Sequence, residues 1–309
     1  MRVLVAEAGY SLARVRELLD GVAEVETAQS PWEGDDVAGL LVGPDQQVGA
    51  AELERLPALQ VVATCSVGYD HVDVGAATAR GIWVCNVPDY CVDEMADSSL
   101  ALLLALLRGV VALDRGVRAG GWDHTVAGPL RRLRGTRLGI VGFGRIGRAL
   151  AVRASALGFE VWATDSDVPD EEITAAGVRA ATLEELLGAC EAISLHVPLT
   201  PGTHGLIGAA ELALLPRGAV LVNTARAALV DMDAVLGCLE TGQLGGAGFD
   251  VLPVEPPTEA APAPEAPTLI VTPHAAWYSP ETEEAAYLRP IVAVREALAG
   301  QRPADALEP

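Results

Sequence analysis

The chain has no lysine: all 21 basic residues among its 309 are arginine. That excludes Schiff-base chemistry and any phosphate loop built on a lysine. A basic surplus is missing too. With 42 acidic residues the formal charge is −21, which argues against nucleic acid or a membrane surface as partner. Cysteine is sparse, and Cys65, Cys85, Cys91, Cys190 and Cys238 form no Cys-x-x-Cys pair. They read as reduced, mostly buried residues of a cytoplasmic protein. The longest apolar run, Leu100–Leu107, is too short to span a bilayer and reads as a core helix. Arg2–Ala6 reads as a strand rather than as the apolar part of a secretion signal. His71, His124 and His204 show no spacing to one another or to cysteine that suggests a metal site, so no metal is expected.

What the chain has is apolar residues, at 50%, arranged as short β-rich runs that alternate with helical patterns. That is the signature of an α/β protein with parallel sheets, and the length favours two domains. One stretch organises the rest. The run Leu138–Val141 breaks into Gly142-Phe143-Gly144-Arg145-Ile146-Gly147 and continues into a helical pattern, 148–157. In such a turn Gly142 permits the tight reversal, Gly144 lets backbone approach a pyrophosphate, and Gly147 lets helix and strand pack closely. Phosphates then meet free N–H groups at a helix N-terminus. A second strand, Val161–Asp165, ends in the carboxylate that this fingerprint requires. Dinucleotide binding is the expectation, and Asp165 with Asp167 favours NAD over NADP by repelling a 2′-phosphate.

Residues 1–91 read as β-α units with strands at 2–6, 39–42, 61–64 and 82–85. The turn Ala6-Glu7-Ala8-Gly9-Tyr10 puts a carboxylate where a phosphate would need N–H groups, so no nucleotide is expected in this half. Two loops at strand ends, Cys65–Asp70 and Asn86–Tyr90, sit where parallel sheets bind ligands, although ordinary turn chemistry uses the same residues. A long buried helix, Glu94–Arg118, is expected after a cap at Asp93. Residues 92–277 then form a doubly wound domain with strands at 138–141, 161–165, 192–197, 219–223, 246–251 and 269–272. The last helix, Glu281–Leu298, is expected to return to the first half, so 278–309 belongs with 1–91.

Three residues beyond strand ends could do chemistry. Arg226 could grip a carboxylate with two parallel hydrogen bonds and polarise a carbonyl. His274 has the side chain whose pKa suits proton exchange near neutrality. Glu255, in an acidic Pro-rich loop, reads by residue type as solvated, though beside His274 it would raise that pKa. His196 also ends a strand and reads as structural.

Over nearly its full length the chain resembles the D-isomer-specific 2-hydroxyacid dehydrogenases. The resemblance is carried by Ser66–Asp70 with Val72-Asp73, by Gly139–Gly147, by Leu195–Leu206 (LHVPLTPGTHGL) and by Val222–Asp231 (VNTARAALVD). Gly248–Pro257 and Thr272-Pro273-His274 complete the set. The Asn86-Val87-Pro88 and His274–Ser279 segments are most similar to the C-terminal-binding-protein branch.

The resemblance implies a Rossmann NAD domain inserted into a smaller flavodoxin-like α/β substrate domain. It implies hydride transfer between NAD(H) and a small 2-keto or D-2-hydroxy acid, in a homodimer. Arg226 would bind substrate, His274 would be the acid/base and Glu255 its partner. The Val67 and Gly68 backbone would bind the substrate carboxylate. Arg145 and Ile146 would contact the pyrophosphate, Asp165 the ribose, and Asp250 with Thr224, Ala225 and Arg226 the nicotinamide carboxamide. By residue type, Trp277 and Tyr90, if both line the cleft, would suit a substrate with an apolar side chain. The chain departs from the family at Ala227-Ala228, where Gly is usual, and at Met232. It also has Thr64 where the C-terminal-binding branch has a substrate arginine. Two other readings are an NAD(H)-sensing, corepressor-like module and an enzyme oxidising phosphite or formate.

Overall fold

In the computed structural model, which describes residues 1–7 and 9–307, the chain folds as two units: 1–90 with 279–309, and 91–278. The first unit opens with β1 (Arg2–Val5), α1 (Leu12–Leu18), β2 (Glu24–Thr27), β3 (Val37–Val42) and α2 (Ala50–Glu54). β4 (Val61–Thr64), α3 (Val74–Ala79) and β5 (Trp83–Cys85) follow. All five strands are parallel, in the order β2-β1-β3-β4-β5. β3 and β4 are buried along their whole length and apolar except for Thr64, because a parallel sheet is covered on both faces. One face packs under Trp32, Leu53, Leu56 and Ala77. The other packs under the Pro280–Leu298 helix, through Ile291, Ala293, Val294 and Ala297. That helix starts at Ser279, whose hydroxyl accepts from Thr282 N, with Pro280 pre-set for the first turn. Glu7 fills its own loop, accepting from Gly9 N at 3.0 Å, and Ala8 lies outside the described residues.

Residues 91–278 carry a seven-stranded parallel sheet. Two helices lead in: α4 (Val92–Leu107) and α5 (Val110–Arg118). Next come β6 (Arg137–Val141), α6 (Arg145–Ala156), β7 (Glu160–Thr164), α7 (Asp170–Ala175) and β8 (Arg179–Ala180). Then α8 (Leu183–Ala189), β9 (Ala192–Leu195), α9 (Ala209–Leu214) and β10 (Ala219–Asn223) continue the alternation. α10 (Met232–Thr241), β11 (Leu244–Phe249) and β12 (Leu269–Val271) end it. The order is β12-β11-β10-β9-β6-β7-β8, so connections run outward in both directions from β6 and β9. Ligands of doubly wound sheets bind beyond the strand carboxyl ends at that reversal.

Four sequence expectations need correction. The helix over 94–118 is two helices bent by 60° at Arg108-Gly109. Gly109 ends α4 in the left-handed region (φ +60°), and a side chain there would press on Ala127. Burial is confined to α4, since no residue of α5 is buried. Asp93 is not a cap: Cys91 holds that position, and the Asp93 carboxylate meets Arg153 at 2.6 Å. Finally, each sheet gains an edge strand. β2 buries only Val25, and β8 has two residues, so neither carries an apolar pattern to read.

Candidate active site

The glycine turn meets each of its steric demands. Gly142 sits at φ +97°, and a Cβ there would lie 2.6 Å from the His196 carbonyl. A Cβ at Gly147 would collide with the Gly142 carbonyl. Around Gly144, by contrast, nothing lies within 4 Å of a Cβ, and it caps α6 without any side-chain bond to the helix N-terminus. The open approach and the uncapped N–H groups fit the pyrophosphate of a dinucleotide. Gly144 and Arg145 are exposed and Ile146 half-buried on that rim. Asp165, just beyond β7, accepts from Phe143 N at 2.6 Å, and from Asp167 N and Val168 N at 2.8 and 3.1 Å. Its carboxylate thus ties the glycine turn to the next loop.

Beyond β10, β11 and β12 the structure brings Arg226, Glu255 and His274 into one electrostatic group. His274 Nδ1 lies 2.6 Å from Glu255 Oε2, and Glu255 Oε1 accepts from Leu252 N at 2.6 Å. The hydrogen bond to Glu255 raises the His274 pKa above its ordinary value, against burial and the nearby Arg226 charge. Burial pushes the Glu255 carboxyl up, but the His274 and Leu252 hydrogen bonds and the charges of His274 and Arg226 bring it below its ordinary value. Glu255 is thus an exposed residue of its loop that is nevertheless bound to His274, and its ionised form supports imidazolium.

The bonds that support this group were not legible in the sequence, although Thr224, Asp250 and Trp277 were expected at the site. Asn223 clamps the Arg226 turn from both sides: Oδ1 accepts from Ala225 N at 3.0 Å and Nδ2 donates to Arg226 O at 2.8 Å. Thr224 is buried and pairs with Ser99 of α4 at 2.8 Å. Asp250 is buried, and its carboxylate accepts from Thr272 Oγ1, Ala275 N and Ala276 N at 2.5–3.0 Å. It shapes the turn that carries His274, which sits at φ +52°, a rare conformation for a non-glycine residue. Trp277 braces the same turn by donating to His274 O at 3.0 Å. The only sequence signal for such supports was a polar residue closing an apolar strand. His196 is half-buried with its Nε2 on Ser194 at 2.8 Å, and removal of the ring from water lowers its pKa to about 4, in keeping with a structural role. Val67 and Gly68 lie in the other unit, in the turn after β4.

A doubly wound sheet, an open glycine turn on a helix N-terminus and a charged Arg–Glu–His group define a nucleotide-dependent oxidoreductase of the Rossmann class. The sequence profile of the D-isomer specific 2-hydroxyacid dehydrogenase, NAD binding domain, matches residues 100–276. The chain is 38% identical to a glycerate dehydrogenase of Methylorubrum extorquens, over 84% of each chain. It is 42% identical to a glyoxylate reductase of Thermococcus litoralis, over 72% of this chain and 69% of that one. Among solved structures, a D-lactate dehydrogenase of Aquifex aeolicus, complexed with NAD and lactic acid, superposes with TM-score 0.88 at 25% identity, covering 97% and 96% of the chains. The protein belongs to the D-isomer-specific 2-hydroxyacid dehydrogenase family. It is an NAD-dependent oxidoreductase acting between 2-keto and 2-hydroxy acids.

Proposed function

We propose that the enzyme reduces a small 2-keto acid of the glyoxylate or hydroxypyruvate type, with His274 as the proton donor. The observation that carries this reading is the 2.6 Å bond between His274 Nδ1 and Glu255. With Nδ1–H donating to the carboxylate, the proton on Nε2 is the one left to give. NADH, when bound, supplies the hydride to the carbonyl carbon. As the C=O π bond opens, Nε2 passes its proton to the carbonyl oxygen, giving the hydroxy acid and a neutral imidazole. Arg226 binds the substrate and polarises its carbonyl, while the Val67 and Gly68 amides hold its carboxylate. The curated relatives named as glycerate dehydrogenase and glyoxylate reductase support the choice of substrate. His274→Ala is expected to lower kcat for glyoxylate reduction about 10²–10⁴-fold while NADH affinity, read by fluorescence, stays unchanged. Unaltered turnover would remove His274 from this role.

Asp165 and the exposed Asp167 favour NADH over NADPH, because a 2′-phosphate would face two carboxylates. Equal kcat/KM with both cofactors would refute this. The homodimer is supported by the apolar residues that α5 and the segment after it leave exposed: Val110 (55%), Val117 (51%), Trp122 (91%), Val126 and Leu130.

A further inference from the structure

The turn after β4 carries the Val67 and Gly68 amides, and the structure shows what holds it. Four successive carbonyls are tied back into the protein. Ser66 O accepts from Val87 N at 3.0 Å and Val67 O from Asn86 Nδ2 at 2.7 Å. Gly68 O accepts from Ser66 Oγ at 2.6 Å and Tyr69 O from Val72 N at 2.9 Å. Among the described residues, the amides of Ser66, Val67, Gly68 and Tyr69 donate to no protein acceptor. A trans peptide plane points its N–H opposite to its carbonyl. Fixing Val67 O therefore aims the Gly68 N–H, and fixing Gly68 O aims the Tyr69 N–H. Consecutive amides left without protein acceptors are the raw material of an anion-binding concavity.

The bond to Gly68 O is the end of a buried chain. Ser66 Oγ lies 2.9 Å from Thr64 Oγ1, which lies 3.0 Å from His71 Nε2. Thr64, Ser66 and His71 are all buried. A carbonyl only accepts, so the Ser66 proton is committed to Gly68 O. The Thr64 proton must then serve Ser66, leaving Thr64 Oγ1 to accept. His71 consequently carries a proton on Nε2, and the order of every proton in the chain is set.

We propose that Asn86 and the His71–Thr64–Ser66 relay are positioning residues for the reaction, holding the 67–69 turn so that three amides, the Tyr69 N–H included, receive the substrate carboxylate. The proposal rests on the carboxylate role given above to Val67 and Gly68. Neither touches substrate; Asn86 fixes the plane of Val67 O and the relay that of Gly68 O in advance, which spares the substrate the cost of ordering them.

The test measures KM and kcat for glyoxylate at saturating NADH, NADH affinity by fluorescence, and the unfolding temperature, for Ser66→Ala, Thr64→Val and Thr64→Ser. Ser66→Ala and Thr64→Val are expected to raise KM about tenfold, the loss of one charge-assisted hydrogen bond, with kcat within about threefold and NADH affinity unchanged. Thr64→Ser keeps the hydroxyl and should keep the wild-type KM. A packing role alone would lower the unfolding temperature without moving KM. An unchanged KM in Thr64→Val, or an equal rise in Thr64→Ser, overturns the proposal. The underlying reading is checked separately in the wild type, with glycolaldehyde, in which a hydroxymethyl group replaces the carboxylate of glyoxylate. Equal kcat/KM for the two would remove the carboxylate cradle itself. A strong preference for glyoxylate with unmoved variants would leave the cradle and remove only the relay.

Discussion

His274 combines a left-handed backbone, which carries a cost, with a side chain whose pairing to a carboxylate favours its charged form. The backbone cost, of order 1–3 kcal/mol, persists because Asp250 and Trp277 over-determine the turn. The pairing sets how activity follows pH. Reduction needs protonated His274, so its rate should hold below the raised pKa and fall as pH passes through it; oxidation needs the neutral ring and should rise over the same range. Glu255→Gln removes the largest cause of the raised pKa, so both limbs should move to lower pH, as pH–rate profiles of kcat/KM would show. Profiles that stay in place would mean that Glu255 only positions the ring. Stability follows the same signs. The His274 contribution is complete below its unfolded pKa and lost as pH rises through the folded one, while the Glu255 contribution is lost as pH falls through its lowered value.

At the scale of elements, the β6–α6 turn separates fold from cofactor within three residues. Gly142→Ala places a methyl group against the His196 backbone at a positive φ and should cost about 3 kcal/mol or more, seen as a fall in unfolding temperature. Gly144→Ala meets no protein atom and has an ordinary φ of −71°. It should leave the unfolding temperature unchanged and weaken NADH binding tenfold or more, measured by titration of cofactor fluorescence. A normal NADH affinity in Gly144→Ala would show that the pyrophosphate approaches elsewhere. This turn was legible because spacing alone imposes its geometry. The strand ends that carry Arg226 and His274 were legible because apolar runs stop there. β2 and β8 were not, since edge strands bury almost nothing. The break at Gly109 was hidden by an apolar pattern that runs on across it. The tasks of Asn223 and Asp250, and the Thr64–Ser66–His71 relay, depend on partners distant in sequence or on hydroxyl protons, neither of which a linear pattern encodes.

For the whole molecule, charge and apolar surface pull against each other. Each chain carries a formal charge of −21, so two copies repel at long range. Yet α5 has no buried residue, and Val110 and Val117, seven residues apart, lie on one side of it, with Trp122, Val126 and Leu130 exposed in the segment that follows. A second copy would gain from burying these residues, and a stable dimer needs about 800 Å² from each partner. Light scattering at micromolar concentration should therefore give about twice the 32.0 kDa of one chain. Val117→Glu, which adds charge at an exposed position, should leave single chains without lowering cofactor affinity. Because salt screens the repulsion while burial of apolar surface is little affected by it, raising ionic strength from about 0.01 to 0.15 M should tighten the wild-type dimer. A dimer that loosens over that range would be held by ion pairs rather than by this face, and a monomer at all concentrations would leave the patch without a second copy to cover it.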